Sequence, residues 1–373
     1  MQKEGKQELP WIERHENAQK FVSTIATLRR IHVYTSDEIV RIVGYRYRKI
    51  RKRKPGLYGR KELELKRLET VFNIVYSRLR EIAGLPKLEE MSDFHRALVE
   101  NFVGTSYEIS LKKVRRALKL ILEFWDEYKL LIISAQDPRE ASRYRKEGSG
   151  RILSVVRRLR RDLEILRKVH QELLHTHIIS EGLPVIVVAG IPSSGKSTIV
   201  RRLSTAKPEV APYPFTTKNI IVGKTRHKEI EFYIVDTPGI LERPRSQQNE
   251  IERKALAAIS SLPDIILYLF DPSDERVQDI DAQAALLRDI YNNIVKKRDI
   301  GIIIAFNKID IANISDTLTK VSASIQDILA SNHTCTSQII PISALTGKNI
   351  GSLVRAIHLC LRKVTPWLFI DST

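Results

Sequence analysis

The 373-residue sequence predicts two domains of different class. An all-α helical bundle is expected over residues 1–180. An α/β domain is expected over 181–373, with a mostly parallel six-stranded sheet and helices on both of its faces. Three observations carry this. Apolar residues recur at helical spacing before residue 180. Short β-rich apolar runs alternate with amphipathic stretches after it. The charge also shifts there: residues 1–182 carry a net +14 and residues 183–373 a net +4, of +18 in total.

The helices of the first half follow from their stripes. In the stretch from Arg151, the residues Ile152, Val155, Val156, Leu159, Leu163, Leu166 and Leu173 keep to one face, and Arg157, Arg158, Arg160, Arg161, Arg167 and Lys168 fill the rest. Residues 111–133 repeat the pattern with Leu111, Val114, Leu118, Ile121, Leu122 and Trp125 inside, and Thr105 or Ser106 is placed to cap the start. Earlier helices are expected near 9–30, 36–53 and 60–83. Lys54-Pro55-Gly56 and Gly84-Leu85-Pro86 read as turns, and Gly148-Ser149-Gly150 as a break in the last long helix. His170, His175 and His177 read as surface or interface residues. In the second half, strands are expected at 184–189, 231–235, 265–270, 300–306 and 338–342. Helices are expected near 196–206, 248–261, 277–297, 315–331 and 349–364.

The bulk composition narrows the function classes. An excess of 18 positive charges points to a polyanionic partner met by the first half, RNA before an anionic membrane surface. The two cysteines, Cys335 and Cys360, make neither a disulfide framework nor a zinc-ligand spacing, so no disulfide partner is expected. The first residues lack the apolar core of a signal peptide, and no apolar run approaches the roughly 18 residues of a membrane span. A cytoplasmic protein is expected.

Five motifs, each at a predicted strand end, carry the chemistry. Gly190-Ile-Pro192-Ser193-Ser194-Gly195-Lys196-Ser197-Thr198 follows a strand and opens a helix. Its backbone N–H groups and the helix N-terminus suit the α- and β-phosphates, Lys196 the β- and γ-phosphates, and the Ser197 hydroxyl Mg²⁺. Pro214-Phe-Thr-Thr217 offers Thr217 to complete the Mg²⁺ shell when γ-phosphate is present, with Thr216 as its alternative. In Asp236-Thr-Pro-Gly239, Asp236 is placed to hold Mg²⁺ through water and the Gly239 N–H to reach γ-phosphate. Lys196, Thr217 and Gly239 are thus the expected catalytic set. Asn307-Lys308-Ile-Asp310 selects guanine, because the Asp310 carboxylate accepts from N1–H and the N2 amine, which adenine cannot offer. The Ala344 N–H of Ser343-Ala344-Leu345 completes contacts to guanine O6. The expected ligands are GTP or GDP and Mg²⁺, and the expected reaction is hydrolysis of GTP to GDP and phosphate. Ile240 stands where Ras-like GTPases place a water-orienting glutamine, so slow intrinsic hydrolysis is expected, with the missing group supplied by a partner.

Pro212-Tyr-Pro-Phe-Thr-Thr217, Asp236-Thr-Pro-Gly239 and the pair Ile240-Leu241 resemble the Obg-related branch of translation-factor-class GTPases. Tyr47-Arg-Lys-Ile-Arg-Lys-Arg-Lys-Pro-Gly56, Leu88-Glu-Glu-Met91 and Phe102-Val-Gly104 narrow the resemblance to the nucleolar GTP-binding protein family, in its short archaeal form. The resemblance spans nearly the whole chain. It implies a role in maturation of the large ribosomal subunit, with the helical domain against rRNA and with ribosomal or assembly proteins nearby. Such relatives usually have Asn where this chain has Ser193. That asparagine supports a monovalent cation in potassium-dependent members, so potassium stimulation is not expected here.

Seven of the nine residues from Arg46 to Lys54 are basic, with Tyr45, Tyr47 and Tyr58 nearby. Arg46, Arg48, Lys49, Arg51, Lys52, Arg53 and Lys54 read as an RNA-phosphate clamp with aromatic stacking, against the alternative of a solvated helix face. Two other functions stay open from the residues alone: a membrane-associated GTPase and a GTP-gated binding module with negligible hydrolysis.

Overall fold

The computed structural model describes residues 10–50, 56–179, 182–216, 218–227, 230–244, 248–336 and 338–372. The chain forms two compact units, one of residues 1–24, 91–102 and 175–373, the other of 25–90 and 103–174. This division differs from the single cut at 180 drawn from the sequence. Two segments of the first half, at 10–24 and 91–102, belong with the sheet.

The helices of the first half are α1 (Pro10–Arg30), α2 (Ser36–Arg48), α3 (Gly56–Ala83), α4 (Asp93–Phe102), α5 (Ser106–Ser134), α6 (Pro138–Arg158) and α7 (Arg160–Leu174). Thr35 starts α2 with a capping box, its side chain accepting from the Glu38 N–H while Glu38 accepts from the Thr35 N–H. Along α3, Leu68, Val71, Val75, Leu79 and Ile82 are buried, and that stripe packs on α5 and α6. Asp137 caps α6, accepting from the N–H groups of Arg139 and Glu140, with Pro138 following it. Thr105 precedes α5 without a side-chain capping bond.

Two sequence expectations fail in this unit. Gly148 and Gly150 do not break α6, which runs through them to Arg158, and the break falls at Leu159. Gly148 serves contact instead, since a Cβ there would lie 2.7 Å from Cγ of Tyr128 on α5. His170 is not a surface residue; it is buried, with its Nε2 2.9 Å from the Leu28 carbonyl oxygen. Burial holds the His170 imidazole below its usual pKa.

The other unit is built on β1 (Val185–Ala189), α8 (Lys196–Leu203), β2 (Glu209–Pro212), β3 (Asn219–His227), β4 (Ile230–Asp236), α9 (Glu250–Ile259), β5 (Ile265–Phe270) and α10 (Ile280–Ile290). A π turn at Tyr291–Val295 leads into the short α11 (Lys296–Arg298). β6 (Gly301–Phe306), α12 (Ser315–Ser324), α13 (Gln326–Leu329), β7 (Ile340–Pro341) and α14 (Ile350–Val364) complete it. The sheet has seven strands, not six, in the order β2-β3-β4-β1-β5-β6-β7. β1 pairs in parallel with β4 and β5, β5 with β6 and β6 with β7, while β2-β3 and β3-β4 are antiparallel. β1, β5 and β6 are buried along their whole length, which is why they read as unbroken Val/Ile/Leu runs. β2 lies at one edge of the sheet with β3 beside it, and neither makes such a run.

The apolar face of α14 (Leu353, Ile357, Cys360, Leu361) closes one side of the sheet. Contrary to the expectation, Cys335 and Cys360 are joined in a disulfide with Cα atoms 5.1 Å apart. Gly301 makes the room: a Cβ there would fall 2.6 Å from the Cys360 sulfur and 3.0 Å from that of Cys335. A separation of 25 residues gave no sign of this pairing. α1 and α4 join this unit through apolar and polar contacts. Phe21 stacks on Phe94 at 6.0 Å, the Asp93 N–H donates to Asn17 Oδ1 at 2.7 Å, and α4 packs on α9.

Candidate functional site

The carboxyl ends of β1, β4, β6 and β7 converge at one edge of the sheet, where the strand order reverses around β1. The loop after β1 needs unusual backbone. Gly190, Ser193 and Gly195 have φ of 143°, 63° and 93°. A Cβ at Gly195 would lie 2.1 Å from Asn307 Nδ2, and one at Gly190 2.5 Å from the Leu269 carbonyl oxygen. Glycine is therefore dictated at both places. Asn307 ties the site together, its Nδ2 donating to the Ser194 carbonyl at 2.8 Å and its Oδ1 accepting from the Ala344 N–H at 2.8 Å. The phosphate-type loop and the Ser343-Ala344-Leu345 loop are thereby fixed to one side chain. Ser194 is fully buried, Pro192 half-buried and Ser193 exposed. Ser197 and Thr198, at the start of α8, are half-buried.

Lys196 is 5% exposed. Its ammonium donates to the carbonyls of Gly190 at 3.1 Å and Ile191 at 2.7 Å and pairs with Glu242 at 2.9 Å. Ser197 Oγ donates to Asp236 Oδ2 at 2.5 Å. Asp236 is fully buried at the end of β4. Burial raises its carboxyl pKa, against the Ser197 hydrogen bond and the Lys196 charge. Its second oxygen, Oδ1, is buried without a hydrogen-bond partner. An orphan carboxylate oxygen beside a serine hydroxyl suits a hard, oxygen-seeking divalent ion such as Mg²⁺.

After β6, Lys308 has φ 62° and its ammonium pairs with the buried Asp271 at 2.5 Å. That bond lays the lysine along the floor of the site. Asp310 is exposed beside it, and so is Leu345. Ser343 is buried, and its Oγ accepts from the Thr346 N–H at 3.0 Å. Arg202 of α8 donates to the Ala344 carbonyl at 3.1 Å.

Thr217 lies outside the described residues. Its neighbour Thr216 donates from Oγ1 to the Tyr213 carbonyl at 2.9 Å. Phe215 takes φ 61°, a costly backbone for an aromatic residue, and stacks on Phe102 of α4 at 5.2 Å. Gly239 has φ 71°. Ile240 is 1% exposed, its side chain packed inward. Four polar residues of the site were not foreseen: Lys218, Glu242, Asp271 and Arg202. Among these only Asp271, a carboxylate closing the apolar run of β5, carried a signal in the sequence.

Of the basic segment, Arg46 and Arg48 end α2 and Lys49 follows, all three exposed. Lys49 Nζ lies 4.1 Å from the centroid of the exposed Tyr45 ring. Tyr47 sits between Arg67 and Arg145, whose guanidinium carbons are 5.4 and 5.7 Å from its centroid. Arg51, Lys52, Arg53 and Lys54 lie outside the described residues.

The chain matches two protein families, one described as the NOG1 N-terminal helical domain over residues 29–179, the other as 50S ribosome-binding GTPase over residues 185–308. A protein of Methanocaldococcus jannaschii, itself uncharacterized, is 31% identical over 261 residues, covering 69% of this chain and 72% of that one. Nucleolar GTP-binding protein 1 of Saccharomyces cerevisiae is 30% identical over 236 residues, which are 63% of this chain and 36% of the yeast one. The match thus spans little more than a third of that nucleolar relative. A crystal structure of a putative nucleolar GTP-binding protein 1 from Plasmodium falciparum is 26% identical, with a TM-score of 0.42, covering 51% of this chain and 92% of that one. Among the described residues no helix is long and apolar enough to cross a membrane.

Proposed function

The chain belongs to the nucleolar GTP-binding protein family, and from that premise we propose that it is a GTP-hydrolysing switch in assembly of the large ribosomal subunit. The single observation that carries this reading is Asn307, which bonds the loops of the first and last motifs at once. That tie supports reading the two loops as the phosphate end and the base end of one nucleotide site. Lys196 and the backbone N–H groups of residues 193–198 bind phosphate, and Asp310, Lys308 and Ala344 bind guanine. Ser197, Asp236 and Thr217 hold Mg²⁺, which when bound neutralises charge on the β- and γ-phosphates. Gly239 senses γ-phosphate through its N–H. With Ile240 packed inward, no side chain at that position orients water, and intrinsic hydrolysis is slow. The basic end of α2, with Arg46, Arg48, Lys49 and the following Arg51, Lys52, Arg53 and Lys54, meets rRNA, and ribosomal or assembly proteins flank it. The expected compartment is the cytosol, whereas the yeast and Plasmodium relatives carry nucleolar names.

The test is GTP hydrolysis by the purified protein with and without large ribosomal subunits or their precursors, at several salt concentrations. Intrinsic turnover is expected far below 1 s⁻¹, as in unassisted GTPases that manage about 10⁻⁴ to 10⁻² s⁻¹. Subunits are expected to stimulate it, with a stimulation that fades as salt rises. Tight GTP binding without stimulation would send the partner assignment elsewhere.

A further inference from the structure

The fold lays the Lys218 ammonium against Gly239, the proposed γ-phosphate sensor. A Cβ built on Gly239 would fall 2.6 Å from the Lys218 Nζ and 3.5 Å from its Cε. The lysine end therefore rests on the backbone of the residue whose N–H is to face γ-phosphate. Its own backbone is pinned: the Lys218 carbonyl accepts from the Tyr213 N–H at 2.8 Å, and the Lys218 N–H donates to Thr216 Oγ1 at 3.2 Å. Tyr213 is fully buried and donates through its hydroxyl to the Ala255 carbonyl at 3.2 Å, so the whole turn is anchored. The charge is lightly held. Among the described residues it pairs with the Glu252 carboxylate at 3.7 Å, and the Lys218 side chain is 40% exposed.

We propose that Lys218 is a catalytic residue of the hydrolysis, donating to a γ-phosphate oxygen and stabilising the charge that builds there; the proposal rests on the GTPase reading above. Lys196, held by the carbonyls of the loop after β1, serves the same phosphates. In the reaction, water oxygen bonds to the γ-phosphorus and the bond from that phosphorus to the bridging oxygen breaks. GDP leaves with the electron pair, and the water proton ends on phosphate. Lys218 keeps its own protons throughout and acts by charge and position alone. A cation supplied by the chain itself, beside a packed Ile240, is how a site without a water-orienting glutamine lowers its barrier.

The experiment uses the full chain and its variants Lys218→Ala, Lys218→Arg and Glu252→Gln. GDP affinity, affinity for a non-hydrolysable GTP analogue and single-turnover hydrolysis are measured for each. Lys218→Ala is expected to keep GDP affinity within about twofold, to lose about tenfold in preference for the GTP analogue over GDP, and to slow hydrolysis by about 10² to 10³, the usual loss of one transition-state donor. Lys218→Arg should retain most of both. Glu252→Gln keeps the capping geometry of α9 and should change neither, which separates γ-phosphate contact from an ion-pair role. Unchanged analogue preference and rate in Lys218→Ala would overturn the proposal, as would a Glu252→Gln variant that reproduces its losses. Absence of turnover in the parent protein would sink the hydrolysis reading by itself, while the affinity ratio would still decide whether Lys218 touches γ-phosphate.

Discussion

Gly195 has no space for a side chain and sits at φ 93°, with Asn307 pressed where a Cβ would go. Substitution by alanine therefore brings backbone strain of about 1–3 kcal/mol and forces Asn307 off the loop. Gly195→Ala is expected to lose guanine nucleotide binding and to lower the melting temperature, both visible in a nucleotide titration followed by thermal denaturation. A variant that binds GDP with parent affinity would contradict the Asn307 tie. Residues of this kind were legible in the sequence, because a left-handed or crowded backbone leaves few residue types to choose from. The convergence of Asn307 with the loop after β1 and with Ala344 was legible for a related reason, since an Asn-Lys-x-Asp run closing a predicted strand marks a loop at the carboxyl edge of the sheet. Lys218, Glu242 and Arg202 were not. Each owes its place to a neighbour far along the chain, and an isolated Lys, Glu or Arg looks like any surface charge.

The α5-α6 pair shows what spacing alone misreads in an element. Gly148 looked like punctuation, yet it lies inside a helix because Tyr128 leaves it no room. Gly148→Ala would overpack that crossing and is expected to destabilise the helical unit by about 1–3 kcal/mol. Gly150→Ala, which meets nothing within 4 Å, should be neutral or slightly stabilising. Paired melts of the two variants test the assignment, and equal effects would contradict it. The long helices and buried parallel strands were visible because their periodicity is sustained. β2, β3 and α4 escaped for want of length or contrast. β2 has four residues, β3 carries Gly223 in its middle against Ser204, and α4 is ten residues long with its buried face crowded into Phe94, His95, Leu98 and Val99.

Across the molecule, residues distant in sequence are joined by polar groups that cannot be charged cheaply. His95 is fully buried, with Nδ1 2.8 Å from Ser92 Oγ and Nε2 2.9 Å from Thr176 Oγ1, and the Phe21 ring lies 4.4 Å away. Burial pushes its imidazole down to about 3. The unfolded chain binds a proton there near pH 6.5 while the native one does not, so this contribution is complete above that pH. It is lost as pH falls from about 6.5 toward 3, by up to about 1.4 kcal/mol per pH unit. Melting curves between pH 7 and 4 should show that slope, and His95→Gln should flatten it. An unchanged slope would place the acid sensitivity elsewhere. The boundary near 180 was drawn where texture and charge change, and texture records only local structure. That residues 10–24 and 91–102 belong with the sheet is a fact of packing, which no local pattern reports.

The discontinuity of the sheet unit imposes a schedule on synthesis. The other unit ends at residue 174, so all of it has been made before β1 emerges. α4 is made with it, but the partners of α4 on α9 come about 150 residues later. At the usual pace of translation that is roughly ten to thirty seconds. For that interval Phe94, Leu98 and Val99 lack the α9 face that covers them in the folded unit. Whatever delays translation between residues 103 and 259 lengthens the time that this apolar face waits for its partner.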